Sequence, residues 1–207
     1  MKARGLSEVV ALGRSRAREF LSSQEQLIVL VRSAGADGDP GERADMVVKR
    51  ATPEDASIYE RDIGTDSRST FRARLVDGTT CYLVIADERA VHATWCTTTG
   101  AWTREIETVL IPPAGDAYVY ESYTRPEVRG RGVYPYALGR IAAELSGRTV
   151  RCVWVAVETS NTASLRAVTK AGFEPSFAIG YRRRWGRIEV EANEATSPER
   201  LHLADRR

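Results

Sequence analysis

Residues 123–135 read Tyr-Thr-Arg-Pro-Glu-Val-Arg-Gly-Arg-Gly-Val-Tyr-Pro. They leave an alternating apolar run and enter a pattern in which Leu138, Ile141, Ala142 and Leu145 recur at helical spacing. A strand that ends in a basic, glycine-bearing turn and opens a helix makes an anion site. The first helical N–H groups have no intrahelical partner, the dipole points its positive end at the turn, and glycine lets backbone approach a phosphate closely. Arg125, Arg129 and Arg131 add full charges at the same spot. No Gly-Lys-Ser/Thr follows, and the third glycine of a dinucleotide fingerprint is missing. Taken alone, the turn is equally a plain strand-to-helix connection.

Downstream, residues 151–157 are almost continuously apolar, the mark of a strand buried on both faces. A helix is expected from Asn161 to Ala171, ending at Gly172 as its C′ residue. Residues 173–191 are strand-like, with Trp185-Gly186 as a turn and Arg182-Arg183-Arg184 beside it. That basic hairpin reads either as a solvated face or as a site for an anionic partner. The polar stretch 192–207 reads as a loosely held tail.

Upstream, 116–124 and 101–110 are expected strands, split by Pro112-Pro113-Ala114-Gly115. Residues 81–85 and 90–96 make a hairpin about Asp87-Glu88-Arg89. Thr52-Pro53-Glu54-Asp55 is a helix start: an N-cap, proline in the first turn and first-turn acids. That helix runs to about Asp62, and a shorter one covers 67–76. Residues 46–50 and 26–32 have β character, and the Gly/Asp/Pro-rich loop 34–43 between them is the expected domain boundary. Residues 6–21 form a basic amphipathic helix that packs on its own domain or docks a partner, a membrane or a second copy.

Extension, β, two helices, four strands, helix, strand, helix and strand pair thus follow in order. This predicts an α+β (α/β mixed) domain at 45–191, with a helix–strand extension at 1–40 and a tail at 192–207. The central β–α–β unit makes parallel neighbours by a right-handed crossover, and the rest of the sheet is antiparallel. The bulk properties suit such a domain. There are 207 residues, 43% hydrophobic and 28% charged, and a formal net charge of +2 gives no argument for nucleic acid. Cys81, Cys96 and Cys152 are an odd set without close spacing, so they read as reduced thiols and not as a disulfide frame or metal site. No apolar stretch reaches membrane-spanning length, and the expectation is a cytoplasmic protein.

Two motifs resemble the GNAT family of N-acetyltransferases. Pro126 and Arg129-Gly130-Arg131-Gly132 resemble the family's Arg/Gln-x-x-Gly-x-Gly/Ala pyrophosphate loop. Asn161-Thr162-Ala163-Ser164 followed by Lys170-Ala171-Gly172-Phe173 is similar to its second helix, Asn-x-x-Ala/Ser ending in Lys-x-Gly-Phe. The resemblance covers residues 45–185. It departs at Tyr134-Pro135, where the loop's last Gly/Ala stands in many members; Arg-Gly-x-Gly-Val/Ile-Tyr-Pro looks like a subgroup spelling. It departs again at Val168, where many members place a tyrosine that protonates the leaving thiolate.

The resemblance implies a GNAT-like mixed sheet with a β–α–β core that binds acetyl-CoA or another acyl-CoA. It implies a pyrophosphate held by Arg129, Gly130, Arg131, Gly132, Val133 and Tyr134. Pantetheine would lie along Ser122, Tyr123 and Thr124, where the strand splays from its parallel neighbour, with Asn161, Ser164 and Lys170 at the mouth of the gap. Asn161 is otherwise only an N-cap. With Val168 in the usual place, the acid would be Tyr134, Tyr136, Tyr123 or water. An amine must be neutral to attack a thioester, so a base is required. Glu121 interrupts an apolar run beside the splay point and is the first choice, unless it is held in an ion pair with Arg125 or Arg151. His92, Trp95 and Glu107 are further candidates to meet the acceptor, and a backbone N–H near Thr124 would hold the oxyanion. The implied activity is N-acyl transfer, most simply of an acetyl group, to a primary amine of a small molecule by direct attack in a ternary complex. The alternative is a non-catalytic acyl-CoA-binding module. Neither a metal, nor nucleic acid, nor a membrane is expected, and a homodimer through the N-terminal helix stays open.

Overall fold

The structure, a computed structural model, describes residues 23–36, 40–184, 187–191 and 198–204. The expected N-terminal helix at 6–21 and the Trp185-Gly186 turn lie outside these residues. An eight-stranded sheet runs in the order β10-β9-β1-β8-β7-β4-β3-β2. Its strands are β1 (Ser23–Ser33), β2 (Val47–Arg50), β3 (Thr79–Ala86), β4 (Arg89–Thr97), β7 (Ala117–Thr124), β8 (Cys152–Glu158), β9 (Glu174–Arg184) and β10 (Arg187–Glu191). Among the described strands only β7 and β8 pair in parallel, and the helix Val133–Ser146 joins them. Every other recorded pairing is antiparallel. Among the described residues the mixed α+β architecture carries four α-helices: α1 (Ala56–Asp62), α2 (Arg68–Arg74), α3 (Val133–Ser146) and α4 (Thr162–Lys170).

Period-2 alternation assigns the layers. Tyr82 on β3, Ala117 and Val119 on β7, and Val153 and Val155 on β8 pack with Leu138, Ile141, Ala142 and Val168 of α3 and α4. Their neighbours Cys81 and Leu83, with Trp95 of β4, face the other way, onto Tyr59 and Phe71 of α1 and α2. On that second face Tyr118, Trp154 and Phe177 meet Ala101, Leu110 and Leu201. These last three belong to a small separate sheet, β11-β6-β5, or stand just before it.

Three expectations change. Residues 101–110 are not one strand but a hairpin, β5 (Ala101–Thr103) and β6 (Thr108–Ile111), that leaves the main sheet. In the described part of the tail, Leu201 is fully buried, Leu203 packs on the same apolar cluster and β11 (His202–Leu203) pairs with β6, an anchorage that composition conceals. And β1, read as part of an extension, lies inside the sheet between β8 and β9. Its Arg32 donates to the Ala171 carbonyl at 2.6 Å, placing a cation at the C-terminal end of α4.

The sheet opens where the site lies. The β7–β8 ladder covers three pairs, Ala117 to Val119 against Val153 to Val155. Beyond them β7 carries a bulge. Trp95 pairs with Tyr120 and Ala93 with Tyr123, so Glu121 and Ser122 both oppose Thr94. Glu121 takes a left-handed φ of 46° to make that turn. The bend draws β7 after β4, while β8 continues along β1 to Glu158. A wedge is left between the two parallel strands.

Candidate active site

A cleft of about 600 Å³ fills this wedge and runs between the N-terminal ends of α3 and α4. Eleven of the residues singled out from the sequence line it: Ser122, Tyr123, Thr124, Arg129, Gly130, Gly132, Val133, Tyr134, Asn161, Ser164 and Lys170. Arg131 does not. Its carbonyl accepts from Arg43 at 3.2 Å, so Arg43 braces the outside of the turn, itself paired with Asp45 at 2.7 Å. Arg166 lines the cleft and was not anticipated. With Ala163, Ala167 and Lys170 it completes an i, i+3, i+4, i+7 stripe, a signal that was present in the sequence.

The turn is built for close approach. Pro126–Val128 forms one turn of 3₁₀ helix, and Arg129 Nε donates to the Thr124 carbonyl at 3.0 Å, tying the turn back to the end of β7. Gly130 and Gly132 have φ of 79° and 73°, which non-glycine residues reach only with strain. A Cβ on Gly130 would meet no atom within 4 Å, so the requirement there is conformational. The first helical-type bond of α3 runs from the Tyr136 N–H to the Gly132 carbonyl at 3.2 Å. Val133 and Tyr134 therefore precede it with N–H groups that the helix does not use, and Pro135 removes only one of the orphan donors. Across the cleft Asn161 caps α4, its Oδ1 accepting from the Ser164 N–H at 3.1 Å. The capping reading is observed, and the residue also stands at the cleft wall.

At the inner end polar groups of the cleft wall, Ser122, Thr124 and Tyr134, are backed by the buried Thr94 and His92. Tyr134 lines the cleft, and burial pushes its hydroxyl up to about 12, an effect the Ser122 hydroxyl partly offsets. Ser122 is hydrogen-bonded to the buried Thr94 across the bulge. His92, expected to meet an acceptor, is fully buried instead. Its Nδ1 is bonded to Thr124 Oγ1 at 2.7 Å, its ring lies 5.3 Å from that of Tyr134, and burial pushes its pKa down to about 3. It supports the site from behind.

Glu121 is half exposed and ion-paired, though with neither arginine anticipated: Arg74 of α2 reaches it at 2.5 Å. The same guanidinium holds Asp66 at 2.7 Å and lies 4.0 Å over the Trp95 ring. Trp95 itself has no exposed surface and donates to the Tyr59 hydroxyl at 3.2 Å, so it is core and not an acceptor wall. Glu107 stands in the β5–β6 turn with φ of 46°, away from any strand of the main sheet. Tyr136 is buried beneath Arg43 and does not line the cleft. Val168 is packed in the core under α4. Of the tyrosines proposed as acids, Tyr123 and Tyr134 line the cleft. Among the described residues, no cluster of three or more His, Cys, Asp or Glu could hold a metal ion.

A strand pair that splays beside a glycine-bearing turn at a helix start can be compared with solved proteins. A putative GNAT-family acetyltransferase from Novosphingobium aromaticivorans aligns over 76% of this chain and 63% of its own, with TM-score 0.52 and 19% identity. A GCN5-related N-acetyltransferase from Sphaerobacter thermophilus aligns over 88% of this chain and 57% of its own, with TM-score 0.55 and 16% identity. The chain has the GNAT fold. A third similar structure is AAC(6')-Iy in complex with the bisubstrate analog CoA-S-monomethyl-acetylneamine, at TM-score 0.53 and 12% identity. It aligns over 65% of this chain and 94% of its own. The chain spans less than two thirds of the first two of these GNAT structures. No family model and no curated protein matches it. Within the GNAT fold, the described residues contain no helix long and apolar enough to cross a membrane.

Proposed function

We propose that this chain is an acyl-CoA-dependent N-acyltransferase, acting with acetyl-CoA or another acyl-CoA on a primary amine of a small molecule. The observation that carries the proposal is the wedge between β7 and β8, lined by the Arg129–Tyr134 turn and by Ser122 to Thr124, with Glu121 outside the lining at the neighbouring bulge. The wedge is narrow and polar-edged at the strands, which suits a thin pantetheine arm lying along Ser122 to Thr124. The turn presents helix N–H groups and Arg129, with Lys170 and Arg166 opposite, which suits a pyrophosphate. The AAC(6')-Iy complex supports the same ligand chemistry for this fold. The turn's Tyr134-Pro135 ending marks a subgroup of the family.

Bound acyl-CoA supplies an acyl group activated as a thioester. Glu121 takes a proton from the incoming ammonium, leaving the neutral amine that forms the new C–N bond. A backbone N–H near Thr124 holds the carbonyl oxygen. As the C–S bond breaks, Tyr134 gives its proton to the sulfur. A phenol held near 12 is protonated at neutral pH, so its proton is in place when the C–S bond breaks. The Ser122 hydroxyl stabilises the phenolate until the second proton of the former ammonium, lost from the new amide nitrogen, returns to it, and His92 and Thr124 support the ring and strand from behind.

The second reading, a non-catalytic acyl-CoA-binding module, is favoured by Val168, which supplies no acid from α4. Calorimetric titration with CoA and a thiol-release assay over an amine panel separate the two. Binding with release supports transfer, and binding without release for every amine supports the module. Absence of CoA binding overturns both.

A further inference from the structure

Arg74 is committed on every side. One terminal nitrogen holds Asp66 at 2.7 Å, the other holds Glu121 at 2.5 Å, and the flat face lies over Trp95 at 4.0 Å and toward Tyr120 at 5.8 Å. The other arginines of this layer have partners other than Glu121. Arg61, Arg89 and Arg125 share the buried Asp62, Arg68 is paired with Glu60, and Arg72 donates to the Pro53 carbonyl. Asp66, Arg74 and Glu121 beside the splay point are thus two carboxylates on the two terminal nitrogens of one guanidinium, a local charge of minus one.

From this we infer the class of acceptor, building on the transferase reading above: a cationic amine that carries no carboxylate next to its amino group. An ammonium brings one positive charge to a site that lacks one, and Glu121 accepts its hydrogen bond. An α-amino acid brings a carboxylate to within a few ångströms of Glu121, beside a guanidinium whose two terminal nitrogens already hold Asp66 and Glu121. Desolvating that carboxylate without a partner disfavours it. Tyr120 lies at the seam between the α1–α2 layer and the small sheet, stacked on Tyr118 at 5.9 Å, and gives the carbon skeleton an aromatic surface.

Matched pairs test this directly: tyramine against tyrosine, histamine against histidine, phenethylamine against phenylalanine, each with acetyl-CoA in the thiol-release assay. The expected result is a kcat/KM at least about tenfold higher for each amine than for its amino acid. In Asp66→Asn, which removes one carboxylate from the cluster, the ratio should narrow several-fold as the fixed charge falls to zero. Equal or better turnover of the amino acids overturns the inference while leaving the transferase reading intact, and so does a ratio that Asp66→Asn leaves unchanged. No thiol release with any member of the panel, in a protein that binds CoA, overturns the transferase reading and this inference with it.

Discussion

His92 Nδ1 lies 2.7 Å from Thr124 Oγ1, and the carbonyl of the same threonine accepts from Arg129 at 3.0 Å. A buried imidazole on β4 thereby sets the last residue of β7, and that residue in turn anchors the arginine-glycine turn. The arrangement depends on a neutral ring. Burial holds the folded-state pKa near 3, whereas an unfolded chain titrates near 6.5. Between those values the unfolded state binds the extra proton, so stability is full above about pH 6.5 and falls as pH drops toward 3. The loss at pH 4.5 should approach about 3 kcal/mol, read as the shift in urea unfolding free energy between pH 7 and 4.5. His92→Gln should flatten this slope; an unchanged slope would show that other groups carry it.

Asp62 gives a second, lower window. Its side chain is fully buried and meets Arg61, Arg89 and Arg125 while accepting the Ala90 N–H at 3.0 Å. The bond to Arg61 leads in holding its pKa down to about 2, against the opposing effect of burial. The stabilisation is present above about pH 4 and lost as pH falls toward 2. Asp62→Asn should cost roughly 2–3 kcal/mol by chemical denaturation at pH 7. A loss below about 0.5 kcal/mol would mean that the three arginines are as well solvated without it.

Gly132→Ala should weaken CoA binding at least about tenfold in calorimetric titration and lower stability by about 1 kcal/mol, since φ of 73° is strained for alanine. Gly130→Ala, where added bulk meets no protein atom, should cost about as much in stability and also lose CoA affinity. Normal affinity in both would show that the turn does not hold the pyrophosphate.

Tyr134→Phe should lower kcat by roughly ten- to a hundredfold while leaving the KM for acyl-CoA within about threefold. Unchanged kcat would pass the acid role to Tyr123 or water. Glu121→Gln should lower kcat/KM, and most for amines whose pKa lies far above the pH, which arrive protonated. An equal loss for weakly and strongly basic amines would assign the base elsewhere.

The cleft was legible because its parts are local. Gly130, Gly132 and Asn161 act through backbone angles and helix ends within a few residues of themselves, and such signals survive in a linear reading. The acceptor side was not legible. Trp95 and His92 were nominated by residue type, yet their exposure depends on which strand faces which helix. Glu121 was picked out as a polar interruption, but its partner Arg74 lies 47 positions away and arrives only when α2 packs on the sheet.

From the sequence alone came the strand–turn–helix at 123–135, the capped helix that opens at Asn161, and the family these two motifs resemble. Each is specified by short-range sterics and hydrogen bonding. Only the tertiary structure decided that β1 enters the middle of the sheet, that 101–111 leaves it as a separate hairpin, and that one bulge sets Glu121 toward Arg74. Strand partners, and the face each residue presents beyond a bulge, are chosen by packing against distant residues. A period of two along the chain records that a strand has two sides, without recording what lies against either.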